Sequence, residues 1–159
     1  MDKDIEAWKE TIEVNLSSSY YLARLFRENL RENGRFVMIS STDSFFGGAI
    51  TASYSASKAG VNSLTKSLSL FFKDKKIRVN TIAPGWVSTP MIAGSSDSFY
   101  RKLAENNPLG RIAKPEDVAK VIKFLLSEDS DYLNGQVITL DGSYTNQDIT
   151  LMFEEEEKQ

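Results

Sequence analysis

Tyr54-Ser-Ala-Ser-Lys58, with Ser41 upstream, sets a phenol, an ammonium and a hydroxyl at a spacing suited to proton transfer without histidine. The sequence holds no His and no Cys, so imidazole bases, thiolate nucleophiles, disulfides and Cys/His metal centres are excluded by composition. Tyr54 and Lys58 lie one helical turn apart, which puts both side chains on one face if the segment is helical. A free phenol titrates near 10 and is a weak base at neutral pH; an adjacent ammonium stabilises the phenolate, which suits Tyr54 to general acid/base work. The Ser41 hydroxyl can hydrogen-bond a substrate oxygen beside that phenol. Asn15 is an amide inside an otherwise amphipathic segment and can anchor a water that relays protons to Lys58.

These residues need elements to hold them. Residues 4–32 predict a helix, with Ile5, Trp8, Ile12, Leu16, Leu22, Phe26 and Leu30 near helical spacing and Asn33-Gly34 as its stop. Arg35–Ser40 is a short apolar run suited to a buried strand, followed by a loop over 41–51 that contains Gly47-Gly48. A helix is expected over 52–73, with Val61, Leu64, Leu68 and Phe71-Phe72 on its apolar side, and a strand over 77–83 closed by Pro84-Gly85. A Ser-rich loop follows with a short helix near 97–106. Pro115-Glu116-Asp117 then opens another helix to about Ser127, with proline in the first turn and acids at the positive end of the helix dipole. Gln136–Leu140 is the last strand, ended by Asp141-Gly142.

Alternation of this kind predicts an α/β chain whose strands form a parallel sheet joined by helical crossovers. Ligands in such sheets bind outside the carboxyl ends of the strands. Ser41 follows the first strand and Pro84-Gly85 the second, so both motifs are expected on that edge.

Hydrophobic residues make up 41% and charged residues 26% of the 159, the balance of a globular domain rather than a disordered chain. The net charge of −3 is the charge of the tail Glu154-Glu155-Glu156-Glu157-Lys158, so the body is formally neutral and offers no footprint for nucleic acid. No apolar run approaches the roughly 18 residues needed to span a bilayer. Met1-Asp2-Lys3-Asp4 lacks a secretory pattern, so the cytoplasm is the expected location.

Taken together, several stretches resemble the short-chain dehydrogenase/reductases: Asn15 within Val-Asn-Leu, Ser40-Ser41, Tyr54-Ser-Ala-Ser-Lys58, and Arg78-Val-Asn-Thr-Ile-Ala-Pro-Gly85. Thr89-Pro90, Pro115-Glu-Asp-Val-Ala119 and Gly135-Gln-Val-Ile-Thr-Leu-Asp-Gly142 extend the resemblance, which runs from about residue 5 to 143. It implies a Rossmann-like sheet with flanking helices, and an NAD- or NADP-dependent oxidoreductase acting on a small alcohol or carbonyl substrate. Tyr54 would exchange a proton with the substrate oxygen. Lys58 would support Tyr54 and hydrogen-bond the nicotinamide ribose, Ser41 would orient the substrate, and Asn15 would hold the relay water. Pro84, Gly85, Val87 and Thr89 would line the nicotinamide pocket, Val87 through its backbone. The Tyr-x-x-x-Lys spacing favours alcohol/carbonyl chemistry over enoyl reduction, for which the family uses a wider spacing.

One departure stands out. Family members begin with a strand, a glycine-rich turn and a helix that bind the cofactor's pyrophosphate. None of the nine glycines here forms such a turn. The chain reads as the C-terminal half of such an enzyme over 1–145, lacking the N-terminal βαβ cofactor half, with an acidic tail over 146–159. An open sheet edge would then invite pairing. The resemblance places a dimer interface on the helices at 4–32 and 52–73, so a homo-oligomer or a complementing N-terminal half is expected. The alternative is a non-catalytic, truncated or split subunit that serves folding or oligomerisation.

Overall fold

The computed structural model describes residues 4–146; the expected acidic tail, apart from Asn146, lies outside the described residues. Strands β1 (Arg35–Ile39), β2 (Arg78–Pro84) and β3 (Val137–Leu140) form one parallel sheet in that order. Arg35 faces Arg78 and Ile39 faces Ile82, while Thr81 faces Val137 and Pro84 faces Leu140. The helices are α1 (Ile5–Ile12), α2 (Ser18–Phe26), α3 (Asp43–Phe46), α4 (Ala52–Phe71), α5 (Asp97–Glu105) and α6 (Pro115–Leu125).

Side chains alternate across the sheet, and the two faces meet different helices. Met38 and Val79 join Ala23, Val61, Leu68, Phe72 and Ile77 in a buried core under α2 and α4, flanked by Leu16, Leu30, Phe36 and Leu64. Arg35 and Arg78 point to the other face, where their guanidinium groups donate to the carbonyls of Ser127 (3.0 Å) and Ser130 (2.5 Å) just beyond α6. Buried Leu125 anchors α6 there. Helices therefore cover both faces, and β2 is buried without a break from Val79 to Pro84.

Local chemistry sets the ends of the elements. The Asp4 carboxylate caps α1 by accepting the Ala7 N–H at 2.8 Å. Pro115 opens α6, and the Asp117 carboxylate reaches back to the Lys114 N–H at 2.9 Å.

Two expectations change. The helix expected over 4–32 is interrupted by a π-helical turn, Glu13–Ser17, and its regular part ends at Phe26. The segment 41–51, read as loop, contains α3. Among the described residues no helix is long and apolar enough to cross a membrane.

Candidate active site

The parallel register brings the carboxyl ends of β1 and β2 side by side. The Ser40 N–H donates to the Ile82 carbonyl at 2.7 Å, and the Thr42 N–H donates to the Pro84 carbonyl at 3.0 Å. Ser41 sits between these two links and is buried, two residues past the end of β1. Pro84-Gly85 ends β2 beside it, and the Gly85 N–H donates to the Leu140 carbonyl at 3.0 Å, which joins the end of β3. The two motifs expected on the ligand edge of the sheet thus share it.

Residues 40 and 42 turn their amides towards β2, so the Ile39 carbonyl projects from the opposite, open edge of β1. The Lys58 ammonium donates to that carbonyl at 2.9 Å. It also lies 5.6 Å from the centroid of the Tyr54 ring. Burial pushes the Lys58 ammonium below its usual range. The Ser40 hydroxyl donates to the Lys58 carbonyl at 3.0 Å, fixing this turn of α4 on the end of β1. Phenol, ammonium and strand end therefore form one cluster, the arrangement expected from the Tyr-x-x-x-Lys spacing.

Asn15 joins the cluster from the other helix. It occupies the π-helical turn, a feature often found where a helix carries a functional group. Its amide donates to the Ser57 hydroxyl at 3.2 Å, and that hydroxyl donates to the Tyr54 carbonyl at 2.6 Å. Asn15 is thus tied to the turn that separates Tyr54 from Lys58. Close approach of the two helices depends on Gly60, where a Cβ would fall 2.5 Å from a Leu16 methyl.

Val87 and Thr89 belong to the strap that leaves β2. Val87 forms an isolated parallel bridge with Ala113, and the Thr89 carbonyl accepts the Ile92 N–H at 3.1 Å. Trp86 meets Phe99 of α5 edge to face at 5.5 Å, and the Tyr100 hydroxyl donates to the Ile92 carbonyl at 2.7 Å, so the strap is pinned to α5. Trp86 and Met91 are exposed, 38% and 85%, and so lie on the surface rather than in the core.

Some connecting residues had no signal in the sequence. Ser57 lies inside Tyr54-Ser-Ala-Ser-Lys58, where the spacing gives it no role of its own. Ser44 and Asn62, which hold the Ser41 turn, belong to no motif at all.

The family model described as Enoyl-(Acyl carrier protein) reductase matches residues 1–145. Cis-4-hydroxycyclohexanecarboxylate dehydrogenase of Sinomonas cyclohexanicum is 37% identical over 144 residues, covering 89% of this chain and 58% of that protein. The 3-oxoacyl-[acyl-carrier-protein] reductase FabG of Thermotoga maritima is 38% identical over 139 residues, 86% of this chain and 56% of that protein. The crystal structure of a short chain dehydrogenase family protein from Francisella tularensis superposes with a TM-score of 0.84 at 34% identity, over 92% of this chain and 65% of that one. The chain therefore spans little more than half the length of the curated relatives it matches. With its parallel sheet, motif order and these matches in agreement, the chain belongs to the short-chain dehydrogenase/reductase family.

Proposed function

We propose that this chain carries the substrate and nicotinamide side of an NAD(P)-dependent oxidoreductase site that interconverts an alcohol and a ketone. The observation that carries the reading is the Tyr54–Lys58 pair, a phenol and a partly desolvated ammonium held together at the ligand edge of the sheet. This donor set fits the ribose and nicotinamide end of the cofactor. The adenosine and pyrophosphate end finds no counterpart, because the nine glycines form no phosphate-binding turn.

When bound, the cofactor supplies the hydride. Tyr54 gives or takes the proton at the substrate oxygen, and Lys58 stabilises the phenolate while hydrogen-bonding the ribose. Ser41 donates to the same substrate oxygen and sets its orientation. Asn15, anchored through Ser57, holds the relay water that refills the proton at Lys58. Pro84, Gly85, Val87 and Thr89 line the nicotinamide side. The spacing of Tyr54 and Lys58 favours alcohol/carbonyl substrates, in keeping with relatives named for cyclohexane alcohol and 3-oxoacyl substrates. A cytoplasmic setting accords with the absence of cysteine.

Fluorescence titration of the 159-residue chain with NADH and with NADPH tests this, with Lys58→Ala as control. Saturable binding that Lys58→Ala abolishes supports the reading, and the tighter ligand identifies the cofactor. A folded chain that binds neither overturns it.

A specific observation favours a second reading, a non-catalytic subunit that serves folding or oligomerisation. Tyr21, Leu25 and Phe26 on α2 and Leu70 and Phe71 on α4 are exposed, and β1 presents an open edge at Ile39. Such surfaces suit a second copy or a complementing N-terminal half. Sedimentation that finds a well-folded monomer, unchanged by an added N-terminal half, would sink this reading.

A further inference from the structure

We infer that Asn62 is a positioning residue for Ser41, acting through Ser44; this rests on the reading of Ser41 as the substrate-orienting hydroxyl. The Asn62 amide donates to the Ser44 hydroxyl at 2.7 Å, and that hydroxyl donates to the Ser41 carbonyl at 2.5 Å. The direction of the chain is fixed by chemistry. A carbonyl only accepts, so the single Ser44 proton goes to Ser41, and Ser44 must then accept from the NH2 of Asn62.

The link closes a compact turn. The Ser41 carbonyl also accepts the Ser44 N–H at 3.1 Å, and the Ser41 hydroxyl oxygen accepts the Asp43 N–H at 3.2 Å. Among the described residues the Ser41 proton has no acceptor, so the hydroxyl keeps a proton to give to a ligand. Asn62 lies one turn beyond Lys58 on α4. One helix therefore carries Tyr54 and Lys58 directly and holds Ser41 through Asn62 and Ser44.

A further observation singles out the amide. The Asn62 side-chain oxygen is buried and, among the described residues, has no hydrogen-bond partner. A buried acceptor left unpaired is a cost that an apolar residue of the same size would avoid. Its amide N–H, committed to Ser44, accounts for an amide at this position.

Asn62→Asp tests this with little change of shape. A carboxylate accepts only, so it draws the Ser44 proton away from the Ser41 carbonyl. Ser44→Ala removes the same link at its middle. Backbone hydrogen exchange of the 159-residue chain should quicken about tenfold at Asp43 and Ser44 in both variants, with β2 amides unchanged. The double variant should exchange no faster than Ser44→Ala alone, because both act on one chain of bonds. Unchanged exchange at these two amides, or additive effects, would overturn the proposal. In a preparation that turns over an alcohol or ketone, Asn62→Asp should lower kcat about tenfold with the cofactor KM within about twofold. An unaltered kcat there overturns the role in catalysis. A wild-type chain without turnover removes the reading of the site, while the exchange data still decide whether Asn62 fixes Ser41.

Discussion

Lys58 holds the end of β1 from two directions: its ammonium donates to the Ile39 carbonyl at 2.9 Å, and its own carbonyl accepts the Ser40 hydroxyl at 3.0 Å. The first of these bonds satisfies a carbonyl on the open edge of the sheet. The ammonium also loses hydration, which lowers its proton affinity in the folded chain below the ordinary 10.5. The sign of the consequence follows by linkage. Between the lowered value and 10.5 the unfolded chain binds more protons, so stability from this group rises with pH through that window. Urea unfolding of wild type and Lys58→Met as a function of pH should show the wild type gaining on the variant there. Parallel curves would mean that burial does not govern Lys58.

Gly85 is required by contact rather than by backbone conformation. A Cβ built on it would lie 2.8 Å from the Asp141 Cβ and 3.2 Å from its Cα. Asp141 cannot retreat easily, since its carboxylate accepts from the Ser143 and Thr145 N–H groups, each at 2.9 Å. Gly85→Ala should therefore cost about 1–3 kcal/mol by overpacking. Gly94→Ala, whose Cβ meets nothing within 4 Å, should stay within about 0.5 kcal/mol of wild type. Denaturant midpoints at constant m-value check the contrast, and equal effects at both glycines would refute it.

Asp117 predicts an acid transition at the start of α6. A hydrogen bond from Arg111 at 2.7 Å, aided by the Lys114 N–H, lowers the Asp117 carboxyl from 3.8 to about 2. Its contribution is complete above 3.8 and is lost as pH falls through about 2. Wild type should exceed Asp117→Asn in stability at neutral pH, and the difference should vanish in strong acid. A gap that persists at pH values below both pKa values would assign it to something other than the carboxylate.

How much of this was legible beforehand depended on the range of the interaction. The strands and α4–α6 were expected within a few residues of their observed bounds, because each carries its own periodicity and stop signals. The π-helical turn at Glu13–Ser17 was not, since it depends on Leu16 packing over Gly60 and Asn15 meeting Ser57, contacts distant in sequence. α3 escaped notice because four residues show no period; its place is set by Ser41 and Asn62. Asn80 illustrates the same point in reverse. It belongs to a stretch that resembles the family, and its part is structural: its amide donates to the Leu133 carbonyl at 2.8 Å and its oxygen accepts the Gln136 N–H at 3.0 Å. Nothing in the order of residues announces which motif positions hold the sheet together and which face a ligand.

Thr65 and Thr81 offer a test of how α4 is locked to β2. Both are fully buried, and their hydroxyl oxygens lie 2.6 Å apart. Thr65 donates its proton to the Val61 carbonyl at 2.8 Å, so Thr81 must be the donor within the pair. The two valine substitutions are then unequal. Thr65→Val strands the Thr81 proton in the core and should cost about 1–3 kcal/mol. Thr81→Val leaves Thr65 bonded to Val61 and should cost clearly less. The double variant should recover part of the loss, with a coupling of about 1 kcal/mol, because no hydroxyl is then left without a partner. Equal single effects that add in the double variant would show that the hydroxyls act independently, and that apolar packing of α4 on β2 fixes Tyr54 and Lys58 over the strand ends without them.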